Sequence, residues 1–285
     1  MELNSTYQIS TPAKVNFFLN ILKRRTDGFH EILTDLVPIS LFDRITFAPP
    51  RRPGIELISP SLRVKREENL VFKAIRLIEQ ESGSNFDLCV RLDKTIPVGA
   101  GLGGGSGNAA GTLVVLNRLF GLRLSIDELR RLASRLGADV PFFLAPVPSV
   151  AEGVGDRLSG LPSFRPLQLL ILFPGFPIAT RQAYGRCVIS GRPERLEDYS
   201  PEGFRNHTAD RNDFWTSLQR RYRELSRARD ALLDRKAIAA GLSGSGSALY
   251  AVFSDEDARN RAYEKLMVHP QWRLFPCRTL SNHSY

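Results

Sequence analysis

Hydrophobic and polar positions alternate over residues 13–21. Ala13, Val15, Phe17, Leu19 and Ile21 fall on one side, and Lys14, Asn16, Phe18 and Asn20 on the other. A period of two predicts a strand with one buried and one mixed face. Thr26-Asp27-Gly28 then predicts a turn, and the apolar run over residues 29–39 predicts a returning strand, so Asp-Gly between them marks a hairpin. Residues 43–48, 55–59 and 86–92 predict further strands. Helical spacing of Leu70, Ala74, Leu77 and Ile78 predicts a helix over 69–81. A glycine-rich stretch precedes an apolar helix over 109–120. Ser125 caps the next helix, with Glu128 completing a capping box, and Gly137-Ala138-Asp139-Val140-Pro141 interrupts the apolar segment after it.

Proline and glycine punctuation thickens between Pro146 and Pro166, which predicts a boundary there. The expected units are residues 1–155 and 156–285, with the last strand free to return to the first unit. In the second unit, residues 168–173, 248–253 and 272–277 predict strands, and 180–187, 213–234 and 255–267 predict helices. Strands and helices mix without a regular βαβ rhythm, so the expected class is α+β.

Composition narrows the picture a little. Of 285 residues, 42% are hydrophobic and 24% charged, which fits a folded globular chain. Lys and Arg number 39 against 30 Asp and Glu, a formal charge of +9, which favours anionic partners. The basic residues are scattered, and the densest run, Lys23-Arg24-Arg25, comes without a nucleic-acid motif, so no nucleic-acid partner is expected. Cys89, Cys187 and Cys277 lie far apart with no metal-ligand spacing, which points to reduced thiols in a cytoplasmic protein. The apolar run over 167–173 is too short to cross a bilayer, so no membrane partner is expected.

The loudest chemical signal is Pro97-Val98-Gly99-Ala100-Gly101-Leu102-Gly103-Gly104-Gly105-Ser106-Gly107-Asn108, with six glycines in the nine residues from Gly99 to Gly107. Glycine lets backbone N–H groups turn toward one point, and the helix that follows aims its positive end there, so the stretch predicts a phosphate cradle. Ser106 and Asn108 can add side-chain donors. The stretch lacks the Gly-Lys-Ser/Thr of a Walker A loop. Gly99, Gly101 and Gly104 fit the dinucleotide GxGxxG pattern, but about 20 residues on, Asp127 and Glu128 sit at a capped helix start rather than at a strand end, which argues against a Rossmann site.

Three motifs in order carry a resemblance: Pro12-Ala13-Lys14-Val15-Asn16, the Pro97 to Asn108 stretch, and Gly241-Leu242-Ser243-Gly244-Ser245-Gly246-Ser247-Ala248. Together they resemble the GHMP kinases over nearly the whole chain. Gly28-Phe29-His30, Gly137 to Pro141, Ala151-Glu152-Gly153-Val154-Gly155 and Asn212-Asp213 narrow this to a resemblance to the 4-diphosphocytidyl-2-C-methyl-D-erythritol kinase family of the non-mevalonate isoprenoid pathway. Two positions depart from that family's usual pattern: Gly107 stands where a second Ser is usual, and Ala100 where Gly is common.

The resemblance implies a two-domain GHMP fold with the active site in the inter-domain cleft, and ATP with Mg²⁺ phosphorylating the 2-hydroxyl of a cytidylyl substrate. It implies Asp139 as general base and Lys14 as its partner, with no metal ligand assigned. ATP contacts are expected from Asn69 and Pro97 to Asn108. Substrate contacts are expected from Asn16, Phe29, His30, Asp139, Thr180, Tyr184, Gly244, Ser245 and Gly246, with Phe29 stacking on cytosine and His30 bonding its edge. On local sequence alone, Asp139 before Val140-Pro141 suits a helix cap, as Asn69 does. The expected assembly is a monomer or weak homodimer. Another GHMP small-molecule kinase, or a silent paralogue that binds nucleotide or metabolite, remains the alternative.

Overall fold

The computed structural model describes residues 3–62, 64–161, 164–191, 193, 195–205, 211–283 and 285. The first half contains strands β1 (Tyr7–Val15), β2 (Leu19–Arg24), β3 (His30–Ala48), β4 (Ile55–Ile58) and β5 (Leu88–Asp93), with helix α1 (Leu70–Ser82) between β4 and β5. Helices α2 (Gly104–Leu119) and α3 (Ile126–Leu136) follow, then β6 (Ser149–Gly153) and β7 (Arg157–Gly160). The second half runs β8 (Gln168–Phe173), α4 (Thr180–Tyr184), α5 (Pro201–Arg205), α6 (Trp215–Arg221), α7 (Arg223–Asp234), β9 (Ala239–Leu242), β10 (Leu249–Phe253), α8 (Glu256–Leu266) and β11 (Arg273–Arg278).

These strands form two sheets. The first has the order β4-β5-β3-β6-β7, with β1 and β2 also paired to β3. The second has the order β11-β8-β10-β9. The chain crosses from one sheet to the other between Gly160 and Gln168. Helices α1, α2 and α3 cover one face of the first sheet with a core that includes Ile75, Leu113, Leu132 and Phe143. A second core lies between the sheets, where Leu169, Ile171, Tyr250 and Val252 meet Val15, Val37 and Ile39. The outer face of the second sheet, with Leu170, Leu172, Leu249 and Phe253, packs against α6, α7 and α8 through Leu218, Leu232 and Ala262. Strand β8 therefore buries both faces, which is why it reads as an unbroken apolar run.

The predicted strand over 13–21 is two strands. β1 stops with Val15 opposite Val37, and β2 starts with Leu19 opposite Thr34, so three residues on one side face two on the other. The intervening Phe17 and Phe18 amides donate to the Asp35 carboxylate at 2.8 and 3.1 Å rather than to a strand neighbour. The predicted strands over 29–39 and 43–48 are one long strand, β3, which carries β2 and β6 beside its first half and β1 and β5 beside its second. Helix α2 begins at Gly104, inside the glycine-rich stretch and ahead of the predicted start at residue 109. Glycine is a poor helix former. Packing overrides this, because added Cβ atoms at Gly104, Gly107 and Gly111 would lie 2.8 Å from Ile96, 2.9 Å from the Pro12 carbonyl and 2.8 Å from Thr11. Only a helix without side chains on that face can approach β1 so closely. Gly107 therefore stands where even a serine Cβ would crowd β1.

The α3 capping box forms as predicted, and Asp255 caps α8 through Ala258. After β11 the chain returns to the first sheet. Leu280 N–H donates to the Pro38 carbonyl at 2.8 Å, and the Tyr285 hydroxyl donates to the Phe143 carbonyl at 2.7 Å.

Candidate active site

Between the two sheets lies a cleft of about 450 Å³, lined by Lys14, Asn16, Asn69, the loop before α2, Asp139, Thr180, Tyr184, Gly244 and Ser245. The loop is fixed on both sides. Leu102 O accepts from Lys14 N–H on β1 at 2.9 Å, and Ala100 O accepts from Ala248 N–H of the second half at 3.0 Å. Gly99, Gly101 and Gly103 take positive φ values of 67°, 77° and 70°, which L side chains rarely adopt. Gly101 also has no room, since a Cβ there would sit 2.1 Å from Ser243 O. Gly103 caps α2 without a side chain. The first-turn amides of Gly104, Gly105 and Ser106 therefore have no intrahelical acceptor and no side-chain cap. This is the geometry that receives a phosphate.

Lys14 ends β1 with its ammonium buried. Its Nζ donates to Asn16 Oδ1 and lies 3.9 Å from Asp139 Oδ2. Burial pushes the Lys14 pKa below its ordinary value, while Asp139 first and Asp35 second push it back up. Asn16 is held in turn, because its Nδ2 donates to Thr34 Oγ1 at 2.8 Å and to the Asp35 carbonyl at 2.6 Å. Asp139 sits in the turn before a short 3-10 helix, Pro141–Leu144, whose cap position is Val140 with no side-chain cap bond. The helix-cap role that local sequence suggested for Asp139 is therefore absent. Its side chain is 40% exposed and faces the cleft. The third motif closes the group. A Cβ on Gly244 would lie 3.1 Å from both Lys14 Nζ and Asn16 Oδ1, Ser243 Oγ donates to Gly101 O at 3.2 Å, and Ser245 Oγ meets Thr180 Oγ1 at 3.1 Å.

Three motifs far apart in sequence thus converge on one Lys–Asp pair beside an uncapped helix start, and comparison with known proteins agrees. Residues 69–145 match the model described as GHMP kinases N terminal domain, and residues 210–269 the one described as GHMP kinases C terminal. The 4-diphosphocytidyl-2-C-methyl-D-erythritol kinase of Syntrophus aciditrophicus is 36% identical over 278 residues, covering 96% of this chain and 99% of the relative. That of Symbiobacterium thermophilum is 37% identical over 273 residues, covering 91% and 95%. The chain belongs to the 4-diphosphocytidyl-2-C-methyl-D-erythritol kinase family. A crystal structure of 4-(cytidine 5'-diphospho)-2C-methyl-D-erythritol kinase superposes with a TM-score of 0.78 at 33% identity, covering 96% of this chain and 99% of that one. The mevalonate kinase of Methanococcus jannaschii shares the fold, with a TM-score of 0.72 at 15% identity.

Against this family frame, the sequence-predicted residues fall into three groups. Lys14, Asn16, the Pro97 to Ser106 loop, Asp139, Thr180, Tyr184, Gly244 and Ser245 border the cleft together. Asn69, Asn108, Gly107 and Gly246 are engaged by the protein itself. Asn69 Oδ1 accepts from Val71 N–H at 2.9 Å as the α1 cap, while the residue also borders the cleft. Asn108 borders the cleft too, but its Nδ2 donates to Thr11 at 2.7 Å and to Asp43 at 3.1 Å, so its amide protons are not free for a phosphate. Gly246 N–H closes a turn on Ser243 O at 3.0 Å. Phe29 and His30 stand apart at the hairpin. Phe29 is 64% exposed. The His30 ring stacks on Tyr184 with centroids 4.9 Å apart, and partial burial and Arg24 hold its pKa down.

Several residues of the site carried no role in the sequence. Asp43 and Lys94 form a buried pair beneath the loop, where Asp43 Oδ1 also accepts from Thr95 and Ile96 N–H at 2.8 and 2.9 Å. Asn212, visible only as part of a motif, donates to Leu242 O at 3.0 Å and Gly244 O at 2.8 Å and so fixes the third loop. No local pattern marks Asp43 or Lys94, because they are paired with each other and with segments distant in sequence.

Proposed function

We propose that this chain transfers the γ-phosphate of ATP to the 2-hydroxyl of 4-diphosphocytidyl-2-C-methyl-D-erythritol, with Asp139 as general base. The observation that carries the reading is the meeting of Lys14, Asp139 and Gly244 at the mouth of the uncapped α2 helix. ATP lays its phosphates on the loop from Gly99 to Ser106, where backbone amides and the α2 dipole offset their charge. The cytidylyl end lies toward His30, Tyr184 and Phe29. A pyrimidine would stack on the Tyr184 face that His30 now covers, or between Tyr184 and Phe29, with a neutral His30 offering one donor and one acceptor.

Asp139 Oδ2 accepts the proton of the attacking hydroxyl as the new P–O bond forms. The Lys14 ammonium, locked on Asn16, orients the Asp139 carboxylate and faces the charge that develops on the transferring group. Among the described residues no group of three or more His, Cys, Asp or Glu gathers into a metal cage. The donor set suits Mg²⁺ that arrives on the nucleotide, with the Ser106 hydroxyl and the Asp139 carboxylate bordering the cleft where it would sit. Bound there, the ion neutralises phosphate charge. The two units read as a nucleotide-binding first sheet and a second sheet that completes the substrate side.

The test is an ADP-release assay with ATP, Mg²⁺ and 4-diphosphocytidyl-2-C-methyl-D-erythritol, run beside mevalonate, homoserine and galactose. Turnover with the cytidylyl substrate alone is expected. Turnover with another member of the panel, or ATP binding without turnover on any of them, would refute the assignment.

A further inference from the structure

One buried carboxylate has no part in the mechanism above. Asp35 lies in the middle of β3, fully enclosed and away from the cleft lining. It stands opposite the gap between β1 and β2, where residues 16, 17 and 18 leave the strand ladder. Its Oδ1 accepts from Phe17 N–H at 2.8 Å and Phe18 N–H at 3.1 Å, and its carbonyl accepts from Asn16 Nδ2 at 2.6 Å. Thr34, next to it, accepts from Asn16 Nδ2 and donates to Phe18 O at 2.6 Å. From the other sheet, the Tyr250 hydroxyl donates to Phe17 O at 3.1 Å.

We propose that Asp35 is a positioning residue for phosphoryl transfer, whose carboxylate clamps the Asn16–Phe18 bulge so that Asn16 holds the Lys14 ammonium toward Asp139. Without that acceptor two buried amides would lose their partner, and the bulge would relax toward a regular strand pairing. A one-residue change of register turns each side chain to the opposite face. Lys14 or Asn16 would then leave the cleft. The inference rests on the reading of Lys14 and Asp139 as the reacting pair.

The surroundings agree with a carboxylate kept for its geometry. Asp35 Oδ2 and the Tyr199 hydroxyl are both buried, and neither has a hydrogen-bond partner among the described residues. Desolvation pushes the Asp35 pKa up to about 7, with the Phe18 and Phe17 amides and Tyr199 pulling it down. The titratable groups that face it are Lys14 on β1, Tyr250 on β10 and Tyr199 in the segment before α5, with Arg195 beyond Tyr199 and Arg211 and Arg229 beyond Tyr250. A protonated Asp35 still offers Oδ1 to both amides, so the clamp does not need the charge. It needs an oxygen at that position.

That distinction supplies the test. Asp35→Ala removes the oxygen, and Asp35→Asn keeps it while removing the charge. Asp35→Ala is expected to lower kcat about tenfold to a hundredfold, the range for a displaced catalytic group, with the KM for ATP little changed. Asp35→Asn is expected to recover most of kcat. In that variant the Lys14 pKa, read by NMR on ¹³Cε-labelled lysine and assigned with Lys14→Arg, is expected to fall, because one nearby negative charge is gone. In Asp35→Ala, which loses the same charge and also frees the ammonium from its place beside Asp139, the Lys14 pKa is expected to differ from that in Asp35→Asn. Wild-type kcat in Asp35→Ala, a loss in Asp35→Asn as deep as that in Asp35→Ala, or the same Lys14 pKa in both variants would each overturn the proposal. If Asp35→Ala fails to fold, Asp35→Asn decides: a kcat more than about tenfold down in a folded protein contradicts an oxygen-only clamp. The lysine titration needs no turnover, so a failure of the cytidylyl substrate would overturn the proposed function without being mistaken for a failure of the clamp.

Discussion

Two buried lysines face two aspartates in the first half of the molecule, and the pairs differ in nearly every other respect. Lys94 and Asp43 are in direct contact, with side chains 7% and 0% exposed. Asp43 also accepts from two backbone amides and from Asn108, so its oxygens are fully engaged. Lys14 is as buried as Lys94, but Asp139 lies 3.9 Å away, is 40% exposed, and has no other partner among the described residues. Burial pushes both lysines down from their ordinary pKa. The carboxylates therefore make the difference. A saturated carboxylate has no lone pair to give a substrate and serves the architecture. An unsaturated one at a cleft can take a proton.

The comparison breaks most sharply at the lysines and aspartates themselves. Lys14→Met should reduce kcat by about two to four orders of magnitude, the usual reach of a group supporting acid–base chemistry. It should leave the unfolding midpoint unchanged or higher, because a buried charge gives way to an apolar chain of similar length. Steady-state kinetics and a urea titration check both halves. Asp43→Ala should behave in the opposite way. It strands a buried ammonium and two amides, and should cost about 3–5 kcal/mol of stability, read as a lowered urea midpoint.

Adjacent glycines sharpen the contrast at smaller amplitude. A Cβ at Gly103 would lie 3.0 Å from Lys14 Cγ and 2.8 Å from the Phe143 ring, whereas one at Gly104 would lie 3.1 Å from Lys94 Nζ and 2.8 Å from Ile96. Gly103→Ala, strained further by a φ of 70°, should act mainly on kcat. Gly104→Ala should act mainly on the KM for ATP and on stability. Equal effects of the two on both parameters would show that the pairs are not separate devices.

A further contrast lies in pH dependence. Asp35 has a folded-state pKa of about 7, above its value in the unfolded chain. Between about pH 4 and 7 the folded state therefore holds a proton that the unfolded state has lost, and stability falls as pH rises through that window. Urea midpoints across this range should decline in the wild type, and the decline should be shallower in Asp35→Asn.

Much of the site was legible because its chemistry sits in short contiguous motifs. Lys14 and Asn16 share a strand face, and the glycines from Gly99 to Gly107 announce a cradle. Strand β8 and the Ser125 capping box also fall where hydrophobic pattern and cap chemistry place them. The remainder was hidden by packing between distant segments. Alternation runs unbroken through residues 13–21, so nothing local reveals the bulge that Asp35 imposes from β3. The α2 start was obscured because glycine propensity argues against a helix where close approach to β1 demands one. Asn108 has the chemistry of a phosphate ligand by sequence, yet spends its amide on Thr11 and Asp43. Phe29 and His30 read as one base-binding pair, but only His30 reaches Tyr184.

The central claim is that the loose pair does the chemistry, and Asp139→Asn tests it most directly. The measurement is kcat with the cytidylyl substrate, taken alongside ATP affinity by titration of the same protein. The account predicts a kcat lower by about two to four orders of magnitude, with ATP affinity close to wild type. Comparable turnover in the variant would remove Asp139 from the mechanism and contradict the account.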